Sequence, residues 1–143
     1  MNKSVSAADL DIDIKGGGEP ALFKWFIASF LMGKRIQADI ACNAYRVIVE
    51  KHGRDTPRKL ANCTHRELVA MLGEAHYVRY DESTADRLSA LSHRLNDEYG
   101  GKLSAVRQAS ENRADFEKRL QAFDGVGPKT VEIFMRDAAG VLY

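Results

Sequence analysis

The chain has 143 residues, 45% of them hydrophobic and 29% charged, the proportions of an ordinary globular protein long enough to bury one core. Its 21 basic and 20 acidic residues nearly cancel to a net +1, so bulk charge selects neither a polyanion nor a membrane surface as partner. Cys42 and Cys63 form no close pair, which argues against a disulfide framework and a cysteine zinc site and suits a reducing cytoplasm.

No apolar run approaches the roughly 20 residues of a membrane span, and Met1–Pro20 has no hydrophobic region of the kind a secretory signal needs. Charge is uneven along the chain. Residues 33–80 hold nine Lys/Arg against five Asp/Glu, whereas 81–101 hold two against five, which predicts one basic and one acidic side.

Residues 1–19 are polar and predict a flexible arm, with a short strand or an ordered tail as alternatives. Asp9, Asp11 and Asp13 have the spacing that opens a calcium loop, but the glycine and later glutamate of that loop are missing. Gly16-Gly17-Gly18 reads as a linker, because no apolar strand precedes it. From Pro20 to Tyr143 every pattern is helical, which predicts a single all-α domain, a compact bundle of about seven helices.

Leu22, Phe23, Phe26, Ile27, Phe30 and Leu31 make a broad buried face, and Gly33 stops that helix. Lys34-Arg35 fill the turn, and a second helix carries Ile36, Ile40, Val47 and Ile48 to His52-Gly53. Thr56-Pro57 is an N-cap followed by a first-turn proline. Thr64-His65-Arg66-Glu67 is a capping box opening a helix to Gly73. After the loop His76–Glu82, Ser83 caps a helix through Leu88, Leu91, Leu95 and Tyr99 to Gly100-Gly101. A short turn spans Leu103–Val106, and Asn112 caps a helix bearing Phe116, Leu120 and Phe123.

Directly after Phe123 comes Asp124-Gly125-Val126-Gly127-Pro128-Lys129-Thr130. Pro128 opens the final helix, where its missing N–H is harmless. Gly125 and Gly127 allow positive φ and bring bare backbone close to a ligand. Amide N–H groups of such a turn, next to a helix N-terminus, favour an anion, above all a phosphate. Lys129 in the first turn is mildly disfavoured by the helix dipole, so another reason must hold it there.

The segment 112–139 resembles a helix-hairpin-helix, and GVGPKT is similar to the hairpin of the endonuclease III-like DNA glycosylase superfamily. The resemblance covers about Pro20 to Gly140. It implies a DNA-binding protein of the base-excision-repair type, a glycosylase or abasic-site lyase. Such a protein grips the DNA backbone without reading sequence, through Gly125, Val126, Gly127, Lys129 and Thr130. It also implies that Lys129 is the nucleophile. The turn Gly33–Asp39 resembles the segment where the family places a wedge residue into the duplex; Ile36 or Gln37 fits that part, and Lys34, Arg35 and Gln37 are the expected DNA contacts there. His76-Tyr77-Val78-Arg79-Tyr80 resembles a glycine-aromatic segment of the family, but Thr84-Ala85 stands where the family has a Lys-Ala pair.

In that chemistry an amine attacks C1′ of the sugar while a carboxylate stabilises the developing positive charge. The resemblance supplies Lys129 but not the carboxylate, which in the family lies further beyond the lysine than Tyr143 allows; Asp137 does not match it, and Asp124 stands in the hairpin where proline is common. The four cysteines of the family's iron–sulfur cluster are absent, so no cofactor is implied except a monovalent cation at the hairpin. Two readings stay open: a compact glycosylase or lyase with its carboxylate drawn from elsewhere, or a non-catalytic DNA-binding or interaction module. A helical protein that does not bind DNA is the third. A protein partner completing the site is also left open, and the expected location is cytoplasmic, with the nucleoid if the source is bacterial.

Overall fold

A computed structural model describes residues 4–143, and its described residues form helices, turns and loops with no strand. Among the described residues eight α-helices follow one another, after a 3₁₀ turn at Ala8–Leu10: α1 (Gly18–Met32), α2 (Ala38–Tyr45), α3 (Pro57–Ala61), α4 (His65–Glu74), α5 (Asp81–Tyr99), α6 (Leu103–Ala109), α7 (Arg113–Gln121) and α8 (Pro128–Leu142). No described helix is long and apolar enough to cross a membrane.

Helix α1 is the central post. Trp25, Phe26, Ile27, Phe30 and Leu31 are all fully buried, so it is apolar on nearly every side, as a helix enclosed by others must be. It packs on α2, α6 and α8. Trp25 Nε1 donates to the Phe134 carbonyl of α8 at 3.0 Å in the buried interior, giving the indole the partner that burial demands. The Phe26 ring meets Phe134 edge-on at 5.4 Å and Phe123 at 6.1 Å.

The local signals in the sequence act as their chemistry requires. Thr56 Oγ1 accepts the Lys59 N–H, and Thr64 and Glu67 complete both halves of their capping box. Asn112 accepts the Asp115 N–H at the start of α7. Helix α2 continues past Tyr45 as a π-helical turn, Arg46–Lys51, which keeps Ile48 and Val49 in the core.

Three expectations differ from the structure. Helix α5 begins at Asp81 rather than at a Ser83 cap; Tyr80 takes a left-handed φ of 63° and Ser83 Oγ donates back to its carbonyl. Leu103–Ala109 is a helix rather than a turn, because the Glu19 carboxylate accepts the Leu103 and Ser104 N–H groups at 3.0 and 2.9 Å. Gly33 ends α1 as expected, at φ −76°; a Cβ there would lie 2.1 Å from Thr130 Oγ1, so the glycine also serves the close approach of α1 to α8.

The arm is the third. Ala7, Leu10 and Ile12 are buried in the core while Asp9, Asp11 and Asp13 are exposed. The aspartates are the outer side of an apolar–polar alternation, not a calcium loop. Ala7 N–H donates to Asp137 Oδ2 at 2.8 Å and Arg46 to the Asp9 carbonyl at 3.2 Å, which ties the segment to α8 and α2. The glycine run turns the chain into α1, with Gly16 and Gly17 N–H bonded to Asp13.

Candidate functional site

The loop between α7 and α8 is held by its own apolar residues. Phe123 and Val126 are buried, and Phe123 also lies 6.0 Å from the Tyr99 ring. The Val126 N–H closes a turn onto the Phe123 carbonyl at 3.1 Å. Between them Gly125 takes φ +76°, and a Cβ on it would stand 2.9 Å from Phe30 and 2.7 Å from the Arg87 side chain. Only glycine meets both demands.

Lys34 reaches the loop from the far side of the α1–α2 turn. Its ammonium donates to the Gly125 carbonyl at 2.6 Å and sits 4.9 Å above the Phe30 ring. Burial first, and the nearby Arg87 guanidinium second, hold its pKa below the usual lysine value. Lys34 is thus bonded to the loop itself.

Gly127 differs from Gly125. Its backbone is extended, with φ −105° and ψ −174°, which any residue adopts. A Cβ on it would meet nothing within 4 Å. Its carbonyl accepts the Val131 N–H at 3.2 Å and begins α8, but it has no side chain to cap the first turn. Among the described residues, the N–H groups of Gly125, Gly127, Lys129 and Thr130 have no acceptor. The last three belong to the open N-terminus of a helix, where donors point outward along the axis.

The expected site residues therefore separate into two groups. Val126 and the Thr130 side chain are buried, Thr130 against Gly33, and Lys34 is engaged with Gly125. Gly127, Lys129, Arg35 and Gln37 face outward. Lys129 lies in the open, its nearest recorded ionic contact a loose 3.9 Å to Glu132, three residues along the same helix. Asp124 is exposed and caps no amide among the described residues, so it brings negative charge to the loop.

Between the turn Gly33–Asp39 and α8 lies a cleft of about 620 Å³. Its floor includes Met32, Ile36 and Ile133, and its charged groups are Asp39, Lys129 and Arg136. Lys129 and Arg136 are seven residues apart, so they share one face of α8. Gln37 lines the same cleft. Of the two wedge candidates, Ile36 packs half-buried against the core and Gln37 is exposed. Asp39 and Arg136 were not among the expected site residues. The seven-residue spacing from Lys129 was the available signal for Arg136, whereas Asp39 needs the tertiary approach of α2 to α8.

The loop 76–80 divides in the same manner. Tyr77 is fully buried, while Val78 and Tyr80 are exposed and Arg79 lies over the Tyr80 ring at 5.0 Å. A larger depression of about 700 Å³, near Phe23, Arg58, His93 and Asp97, shares no residue with the α7–α8 loop or the Lys129 cleft.

No protein-family model matches the chain, and comparison with curated proteins yields no match.

Proposed function

We propose that the chain is a DNA-binding protein that holds the phosphate backbone without reading sequence, using α7, its loop and the N-terminus of α8 as a helix-hairpin-helix. The observation that carries this reading is the set of open N–H groups at Gly127, Lys129 and Thr130, set beside a glycine whose missing side chain no other part of the protein requires. A backbone phosphate supplies acceptors for those donors and fills the space a side chain would take. Lys129, Arg35 and Gln37 add outward-facing cations and an amide nearby.

Asp124 works against this reading through its charge, and Lys34 supports it by fixing the loop before any ligand arrives. The likeness of the GVGPKT stretch to endonuclease III-like glycosylases supports a role in base-excision repair, as a glycosylase or abasic-site lyase. The alternative is a module that grips DNA and removes nothing.

The test is a binding titration with short duplexes of unrelated sequence across a salt series. Backbone recognition gives the same affinity for each duplex and a steep, linear fall of log affinity with log salt. No binding at low salt removes the proposal.

A further inference from the structure

Resting on the DNA-binding reading above, we infer a second phosphate site, on the α5 side of the α7–α8 loop, in which Arg87 is the contact and Lys34 stands behind it. The protein then grips two backbone phosphates, one at the N-terminus of α8 and one beside Gly125.

Helix α5 carries two arginines toward the loop, Arg87 and Arg94, seven residues apart and so on one face. Their surroundings differ. Arg94 has Glu98 one turn ahead, and its Nε donates to that carboxylate at 2.7 Å. Its Nη1 donates to the Ala122 carbonyl, and the guanidinium lies 5.3 Å from the centre of the Phe123 ring. Arg94 is thus neutralised and built into the loop.

Arg87 has no such partner. The residues three and four places away on its own helix are Ser83, Thr84, Ala90 and Leu91, so no acid pairs with it along α5. Asp86 is engaged with His65 at 2.8 Å. Among the described residues no carboxylate stands within ion-pair distance of the Arg87 guanidinium. Its position is nevertheless fixed by packing. The stem lies over Gly125, where an added Cβ would stand 2.7 Å from Arg87 Cδ and 3.2 Å from Arg87 Cβ. The guanidinium begins one atom beyond Cδ, which leaves it beside the loop and exposed.

Lys34 brings a second cation to the same glycine, its ammonium on the Gly125 carbonyl at 2.6 Å. Burial and then Arg87 lower the Lys34 pKa, so the two positive groups act on each other. Asp124 is exposed and does not offset them. The Gly125 N–H has no acceptor among the described residues. Neighbouring cations repel each other, and a phosphate beside them turns that repulsion into attraction. The planar fork of arginine suits two phosphate oxygens. The same loop leads to the open N–H groups of Gly127, Lys129 and Thr130, so a polyanion meets both places whereas a single phosphate meets one.

The experiment compares Arg87→Gln with wild type by fluorescence anisotropy on duplexes of unrelated sequence across a salt series, beside thermal melts without DNA. Glutamine keeps the stem on Gly125 and removes the charge. The variant is expected to melt at or above the wild-type temperature, because Lys34 is relieved of a like charge. It is expected to bind every duplex roughly tenfold to 10²-fold more weakly, with a salt slope reduced by about 0.9, or one phosphate. Arg58→Gln removes the same charge from the depression near Phe23 and should keep most of the affinity and the whole slope. Arg87→Gln combined with Gly127→Asp should reduce the slope by about 1.8. A loss no larger than that of Arg58→Gln overturns the second site and leaves the helix end standing. So does a double variant no weaker than Gly127→Asp alone, or a fall in affinity that comes with a lower melting temperature. Failure of the wild-type protein to bind any duplex at low salt overturns the DNA-binding reading as well.

Discussion

Gly127→Asp separates two properties that ordinarily fall together, stability and binding. The backbone at Gly127 is extended and a Cβ there meets nothing within 4 Å, so aspartate enters without strain. As the N-cap of α8 it accepts one of the first-turn N–H groups, and replacing glycine by aspartate at such a position is worth a few tenths of a kcal/mol. The melting temperature should rise by about 1 °C or hold level. The same carboxylate covers the donors proposed for phosphate. Two like charges about 4 Å apart repel by about 1 kcal/mol in water and about 4 kcal/mol at an effective dielectric of 20. DNA affinity should therefore fall by roughly fivefold to 10³-fold, equally for every duplex sequence, with the salt slope reduced by about 0.9, or one phosphate. Gly127→Ser, a neutral cap, should match its stability and lose much less affinity. Fluorescence anisotropy across a salt series, beside thermal melts, reads both effects. An aspartate variant that melts normally and binds DNA as tightly as wild type would refute the phosphate role of this helix end.

Lys34→Met leaves the Gly125 carbonyl without its donor, and should cost about 1–3 kcal/mol in a denaturant melt while loosening DNA binding at the same time. Asp124→Asn removes a negative charge from the loop and should raise DNA affinity a few-fold at low salt, an effect that shrinks as salt screens it; unchanged affinity places phosphate away from the loop. Gly33→Ala drives a methyl into Thr130 and should destabilise by about 1–3 kcal/mol, with Thr130→Ala in the same chain restoring part of the loss. His65 contacts Asp86 at 2.8 Å and Glu82 at 3.4 Å, and the Glu82 bond is the chief cause of a pKa above the usual histidine value. A raised folded pKa contributes stability that is complete below about pH 6.5 and is lost as pH rises through the folded value. His65→Gln should therefore lower the melting temperature at pH 5.5 more than at pH 8.5.

What could be read from the sequence was what adjacent residues decide among themselves. The Thr64–Glu67 box, the Thr56-Pro57 start, the Asn112 cap and the Gly100 stop each depend on chemistry within one helical turn, and each lies where its residues put it. The helix at Leu103 has no signal in its own neighbourhood, because its cap is Glu19, far away in the chain. The arm read as free because its aspartates dominate its composition, whereas the alternating Leu10 and Ile12 beneath them are what the core receives. The candidate site divides in the same way. Its glycines, proline and Lys129 announce a turn and a helix start, but no local pattern says that Lys34 will be bound to Gly125 or that Asp39 will share a cleft with Lys129.

The bond from Lys34 to Gly125 has a mechanical consequence. It staples the α1–α2 turn, which lines the Lys129 cleft, to the α7–α8 loop that leads into α8. A clamp whose jaws are already joined has little internal motion left to surrender when it closes on a partner. The entropy of ordering is met during folding rather than on binding. Such a surface associates as a rigid body, and cutting the staple should show first as faster dissociation.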